Sequence, residues 1–272
     1  MARITVGKDR GFDMTSLDFG RLQNGTNYVA TDSFYGIYYE GGAVEKFHGH
    51  DFVYDENELP VGGLVTDYTA ADARGRIVAI DRIHVSAQLI MEAAATSGKA
   101  DAYAVIRHEF RGDDKFIGGS LDDVALGFRG SDLLKGHGGE DTLTGGVGRD
   151  TLGGGGGADI LRGGRGGDTF QFVFARDSTA EEHDTIIDFS KKQHDRIDLT
   201  AIDANGRLPG HGHFDYIGEA DFSGTTGELR VESMNGVSTA QADVDGDGQP
   251  DLVVSVHTVG HGDELTSGVF VG

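Results

Sequence analysis

The chain has 272 residues, 45 of them acidic against 23 basic, a net charge of −22, 45 glycines and no cysteine. Without cysteine there is neither a disulfide framework nor a thiolate metal site, and the acidic excess argues against nucleic acid, whose phosphates need clustered Lys and Arg, and for cations. No stretch approaches the roughly 18 apolar residues of a membrane span.

In chain order, the first residues, Met-Ala-Arg-Ile-Thr-Val-Gly-Lys-Asp-Arg, carry neither the apolar run nor the cleavage site of a secretory signal peptide, so export is expected to use another route. Residues 1–109 read as a β-rich region of unknown role. Alternating patterns predict strands over Asn27 to Ala30, Phe34 to Tyr39, Asp51 to Tyr54 and Arg76 to Ile83. Ser86 is placed to cap a helix from Ala87 to Thr96 that Gly98 closes, and Ala100 to His108 reads as a second helix. These helices are expected to cover the open end of the repeats that follow, or else to offer a binding face.

Residues 110–177 are periodic. Aspartates stand at 114, 123, 132, 141, 150, 159 and 168, each nine after the last. Two residues after each comes Phe116, Ala125, Leu134, Leu143, Leu152, Leu161 or Phe170; glycine recurs two residues before each, with Leu121 the exception, and five residues before each from Asp123 on. The segment from Arg111 to Phe170 holds 20 of the glycines, so it follows its own rules. The unit is Gly-Gly-x-Gly-x-Asp-x-(apolar)-x.

A tight turn that presents successive carbonyls needs conformations glycine reaches cheaply. The aspartate adds an anionic oxygen for Ca²⁺, which takes six to eight oxygen ligands. The apolar residue then faces inward from a short strand, so stacked turns share a core one side chain wide. Each unit makes half a coil. Units eighteen apart therefore stack: Asp114, Asp132, Asp150 and Asp168 line one edge, and Asp123, Asp141 and Asp159 the other. Without calcium the carboxylates repel one another, and so thin a core does not offset a backbone entropy of about 1–2 kcal/mol per residue. The roll is expected to fold on binding calcium.

Residues 178–272 follow, with Asp184-Thr-Ile-Ile-Asp-Phe-Ser and Asp195-Arg-Ile-Asp-Leu-Thr reading as the last coils of a widening roll. Further on, Asp243, Asp245, Asp247 and Asp251 occupy positions 1, 3, 5 and 9 of a calcium loop with Gly248 at position 6. Position 12 is Val254 rather than glutamate, so the segment is either a metal site or an acidic turn between strands. His48-Gly-His50-Asp51 and His211-Gly-His213 are transition-metal pairs or polar turns.

The repeats resemble the RTX (hemolysin-type) calcium-binding nonapeptide, and the ordered motifs from Asp168 onward, including Phe214-Asp-Tyr-Ile-Gly and Gly227-Glu-Leu-Arg, resemble the C-terminal domain of serralysin-type metalloproteases. The resemblance covers roughly Phe110 to Gly272. It implies a mainly β fold, a right-handed parallel β-roll that binds several Ca²⁺, and export by a type I, ABC-transporter system that reads an uncleaved C-terminal signal. The expected location is secreted and extracellular. The terminal Gly-Val-Phe-Val-Gly lacks the acidic residue expected beside such a signal.

Carried over residue by residue, the resemblance implies three sites built from carbonyls and aspartates. One uses Phe128, Gly130 and Asp132 with Gly145, Val147 and Asp150. The next uses His137, Gly139 and Asp141 with Gly154, Gly156 and Asp159, and the third Gly146, Gly148 and Asp150 with Gly163, Arg165 and Asp168. The departures at Leu121 and Ala125 affect the earliest sites, those of Asp114 and Asp123.

The His-Glu-x-x-His of the protease half is absent, His108-Glu109 being followed by Phe, Arg and Gly, and neither a nucleophile motif nor a phosphate loop stands out. Two readings follow. The protein is a non-enzymatic extracellular binding or adhesion module whose N-terminal region contacts a surface or polysaccharide. Alternatively that region is a small polysaccharide-acting enzyme, which a cleft gathering Asp51, Asp55, Glu56 or Glu58 would favour.

Overall fold

The structure is a computed structural model that describes residues 1–16, 19–95, 99–204, 213–234, 236–259 and 265–272. Its N-terminal part comprises β1 (Arg3–Val6), β2 (Asn27–Thr31), β3 (Phe34–Tyr38), β4 (Val44–Tyr54), β5 (Pro60–Asp72) and β6 (Gly75–Ser86), then α1 (Ala87–Ala95) and α2 (Lys99–Glu109). Strands β2 to β6 form an antiparallel meander. The expected strand Asp51 to Tyr54 is the end of β4, and β5 carries no clean alternation in sequence because Gly62 and Gly63 interrupt it at a bulge. Helix α1 follows at Ala87 as expected, while its expected closing residues Thr96 and Gly98 lie outside the described residues.

The roll comprises β7 (Lys115–Ile117), β8 (Val124–Arg129), β9 (Leu133–Gly138), β10 (Thr142–Val147), β11 (Thr151–Gly156), β12 (Ile160–Arg165) and β13 (Thr169–Gln171). Consecutive strands fall in opposite sheets, and strands eighteen residues apart pair in parallel, as Thr151 with Leu133 and Thr142 with Ile160. The roll widens through β14 (Asp184–Phe189) and β15 (Arg196–Asp198). Beyond them come β16 (Asp215–Gly218), β17 (Glu228–Met234), β18 (Val237–Asp243), β19 (Leu252–Thr258) and β20 (Phe270–Val271). The distant β19 and β20 return to pair in parallel with β14 and β15.

The inward apolar positions close the core as the period requires. Phe116, Ala125, Leu134, Leu143, Leu152, Leu161 and Phe170 are each at most 2% exposed, and Ile186 and Ile197 continue the stack. Alternation along each strand sends these residues inward and their neighbours out. Among the described residues the strands form two sheets, one of twelve and one of eight.

The larger sheet is continuous between the two halves because β1 pairs antiparallel with β6 on one side and parallel with β7 on the other. The first edge of the roll is thus met by β1 and, in the other sheet, by Asp13 bridging to Val124. The helices expected at that end lie elsewhere. Helix α1 packs on β5 and α2, and Ile90, Val105 and Ile106 face Phe47, Tyr68 and Ile80 of the meander. The physical reason is that an unpaired strand edge is satisfied by another strand's backbone, which a helix face lacks.

Candidate metal rows of the roll

Each aspartate of the repeats is buried and bound in the same way. Its Oδ1 accepts the backbone N–H of the aspartate eighteen residues earlier, at 2.7 Å for Asp114 to Asp132 and Asp123 to Asp141, 2.8 Å for Asp141 to Asp159 and 2.9 Å for Asp132 to Asp150 and Asp150 to Asp168. The two rows expected from the spacing are therefore two hydrogen-bonded ladders.

The ladders outrun the nonapeptides at both ends. Asp159 donates to Asp184 and Asp168 to Asp195, across 25 and 27 residues, while at the start Ala2 donates to Asp114 and Phe12 to Asp123. Sequence reasoning placed Asp184 and Asp195 in the last coils without naming them as ligands. Their signal is the Asp-x-apolar triplet each shares with the repeats, with Ile186 and Ile197 in the core position.

The second carboxylate oxygens decide what the rows can hold. Oδ2 of Asp114, Asp132, Asp141, Asp150, Asp159, Asp168 and Asp184 is buried with no hydrogen-bond partner. A buried oxygen of this kind costs about 1–3 kcal/mol or more unless something pairs with it. Those of Asp132, Asp141, Asp150, Asp159 and Asp168 face the first glycine of their own turn: a Cβ on Gly136 would stand 1.9 Å from Asp141 Oδ2, and one on Gly145 or Gly163 2.4 Å or 2.5 Å from Asp150 or Asp168. The space beside the orphaned oxygens is open only because those positions lack a side chain. Asp123 differs, since Gly119 N–H donates to its Oδ2 at 2.8 Å.

Backbone conformation alternates through the expected ligand turns. The second and fourth positions are left-handed, as at His137 (φ 80°) and Gly139 (φ 102°), or Gly146 (φ 117°) and Gly148 (φ 150°). Gly154, Gly156, Gly163 and Arg165, at first and third positions, are not. Alternating handedness turns successive peptide groups to opposite sides, which is what a turn needs to present carbonyls to a cation.

Burial holds the carboxyls well above their ordinary range. Asp123, Asp150, Asp159 and Asp195 are pushed up to about 6, Asp132 to about 7, Asp141 to about 8 and Asp184 to about 9, each chiefly by desolvation. Neighbouring aspartates add to the rise at Asp132, Asp141 and Asp184. Buried oxygens, tight glycine turns and close like charges are the donor set of a hard divalent cation, and the residues present fit Ca²⁺.

The acidic loop after β18 is a hairpin turn between antiparallel β18 and β19, without flanking helices. Asp243, Asp245 and Asp247 form the one group of three or more His, Asp or Glu ligand atoms within 4.8 Å among the described residues. Asp243 is buried and accepts the N–H groups of Gly246 and Gly248, and Asp251 accepts those of Val244 and Asp245.

The remaining candidates are dispersed. His48 packs tilted against Phe34, ring centres 5.0 Å apart, while His50 Nδ1 meets Asp51 Oδ2 at 2.8 Å, and His211 lies outside the described residues. Asp51, Asp55, Glu56 and Glu58 are exposed around the β4–β5 turn, and the apolar cavities of the N-terminal half are lined by other residues. No described helix is long and apolar enough to cross a membrane.

Parallel half-coils with a buried aspartate every nine residues define a β-roll of the RTX class. Residues 89–270 match the family model described as Peptidase M10 serralysin C terminal, and the chain belongs to that family. Solved structures similar to it include the AlgE6R3 subunit of the Azotobacter vinelandii mannuronan C5-epimerase, at 27% identity and TM-score 0.30 over 59% of this chain and 78% of that one. The AlgE6R2 subunit of the same epimerase is similar at 26% identity and TM-score 0.36, over 56% of this chain and 91% of that one. No curated protein matches the chain.

Proposed function

We propose that this protein is a secreted calcium-binding module whose roll folds on taking up Ca²⁺ outside the cell. The observation that carries this reading is the row of buried, partnerless Oδ2 atoms. The carbonyls of Phe128, Gly130, His137, Gly139, Gly146 and Gly148, with those of Gly145, Val147, Gly154, Gly156, Gly163 and Arg165, would complete the shells of Asp132, Asp141, Asp150, Asp159 and Asp168. Calcium supplies the positive charge that lets these carboxylates ionise in a dry core. Family membership supports export through a type I transporter and an extracellular site of action.

The module binds rather than catalyses in this reading, and the continuous sheet from β2 through β1 into the roll supports a single rigid scaffold. The test is circular dichroism and calcium titration of the whole chain. Chelator should leave mostly coil from residue 110 onward, millimolar Ca²⁺ should restore the β spectrum with several ions bound, and a spectrum indifferent to calcium would sink the proposal.

A further inference from the structure

The third position of the repeat points to a second ligand. On one edge of the roll that position is Arg111, Arg129, Val147 and Arg165, and on the other it is Ser120, Gly138 and Gly156. The register makes the first set a ladder, because Val147 pairs with Arg129 on one side and Arg165 on the other. Gly112 lies under Gly130, which places Arg111 beyond Arg129 in the same stack. Adjacent rungs are about 4.8 Å apart, the spacing of paired strands. At the end of α2, Arg107 joins Arg111, Phe128, Arg129 and Val147 around one shallow concavity.

These arginines are exposed, and among the described residues their guanidinium groups make no ion pair, although the chain carries 45 acidic residues. Arg10, Arg74, Arg82, Arg162 and Arg230 do pair with acids. The nearby Asp113 accepts the Ser131 N–H. The opposite edge instead exposes Asp122 and Glu140, so the roll has one cationic and one anionic edge.

We propose that the edge carrying Arg107, Arg111, Arg129 and Arg165 is a docking strip for a linear acidic polysaccharide bearing carboxylate or sulfate groups along its length. Guanidinium forks match such groups with paired hydrogen bonds. The rungs are separated by one or two strand spacings, which suits a sugar polymer with an acid on each residue or alternate residues. Duplex DNA, with a charge about every 1.7 Å on a wide double helix, brings more negative charge against the surrounding acidic surface than a single file of arginines can neutralise, whereas a single sugar chain carries fewer charges at the spacing of the rungs. Val147, exposed between Arg129 and Arg165, adds apolar surface for a sugar ring face. The strip rests on the calcium reading in one respect: cations in the row of Asp114, Asp132, Asp150 and Asp168 cancel the negative potential directly behind it.

The test uses the full chain in millimolar calcium at low ionic strength, titrated with polygalacturonate, dextran sulfate, uncharged dextran and duplex DNA. Binding to polygalacturonate or dextran sulfate, with the better of the two telling carboxylate from sulfate, and none to dextran, is the expected result. The double variant Arg129→Gln/Arg165→Gln should weaken binding roughly tenfold, two exposed pairs at up to about fivefold each. Filling the missing rung with Val147→Arg should tighten it about threefold. The variant Arg74→Gln/Arg76→Gln makes the same charge change elsewhere and should leave affinity as it was.

Equal losses in the two double variants, no gain from Val147→Arg, no binding of either acidic polymer, or tighter binding of DNA would each overturn the strip. Calcium stoichiometry and circular dichroism are read on the same samples. A roll that ignores calcium therefore removes the calcium reading, while the strip is judged on polymer binding alone.

Discussion

The backbone N–H of Ala2 donates to Oδ1 of Asp114, in the place that Asp114 itself takes toward Asp132. The start of the chain is thus the turn before the first repeat. Ile4, in the strand that follows, is buried between Ile80 of the meander and Phe116 of the roll and pairs with both. Truncating it to alanine should cost about 3 kcal/mol. Because β1 is shared by both halves, denaturant melts followed by tyrosine fluorescence and by far-ultraviolet circular dichroism should shift together. A shift confined to one signal would mean the halves fold independently.

Asp150 and Asp123 occupy equivalent repeat positions, yet Asp123 has both oxygens in backbone hydrogen bonds, whereas Asp150 Oδ2 has no partner. Asp150→Asn should weaken calcium binding about tenfold or more, since it removes an anionic ligand. Asp123→Asn should change it less than about threefold. Equal losses in a calcium titration would refute the assignment of the partnerless Oδ2 as the ligand oxygen.

The glycines of the turns make opposite predictions at two positions. Gly148 is left-handed at φ 150°, and a Cβ there would stand 1.6 Å from Gly130 O, so Gly148→Ala should destabilise the calcium-loaded roll by more than about 3 kcal/mol. His137, at the second position of its turn, holds a left-handed conformation at φ 80° with a side chain, and His137→Gly should stabilise by about 1 kcal/mol. Thermal melts in excess calcium check both signs.

The roll was legible because one period fixes three things at once: the turn glycine, the ligand and the core residue. The joint between the halves was not. Arg3–Val6 carries no glycine or aspartate signal, and its partner Lys115–Ile117 lies far along the chain, so no local pattern announces the pairing. Strand β5 was hidden by Gly62 and Gly63, which read as loop but sit at a bulge where Gly63, at φ 106°, lies against Phe52. The arginine strip was visible only as the variable third position of the repeat, whose meaning appears once the register stacks Arg129, Val147 and Arg165.

The raised carboxyls set the direction of the pH response. A carboxyl that ionises near pH 4 when unfolded but stays protonated up to about 7 in the fold, as Asp132 does, favours folding at acid pH. That contribution is complete below about pH 4 and is lost as pH rises through the folded values near 6 to 8, at a cost of about 4 kcal/mol for Asp132 by pH 7. In chelator the roll should therefore be more ordered at pH 4 than at pH 8. In calcium the dependence should reverse, because the cation binds the ionised form and releases protons. Calorimetry in two buffers of different ionisation enthalpy measures that release, and none at pH 7 would contradict the assignment.

Asp184 extends the same argument past the nonapeptides. It is fully buried, accepts the Asp159 N–H through Oδ1 at 3.1 Å, leaves Oδ2 without a partner and is pushed up to about 9 by desolvation first and then by the charge of Asp159. The Ser178 hydroxyl fixes its backbone by accepting the Asp184 N–H. An anion so placed is tolerable at neutral pH only beside a cation. Asp184→Asn keeps the shape and the Oδ1 acceptor while removing the charge, so it should lower the number of calcium ions bound at saturation and, in chelator at pH 8, make the chain more ordered than the parent. Unchanged stoichiometry by equilibrium dialysis, together with unchanged order in chelator, would show that this metal row ends at Asp159 and that Asp184 is held as a neutral acid.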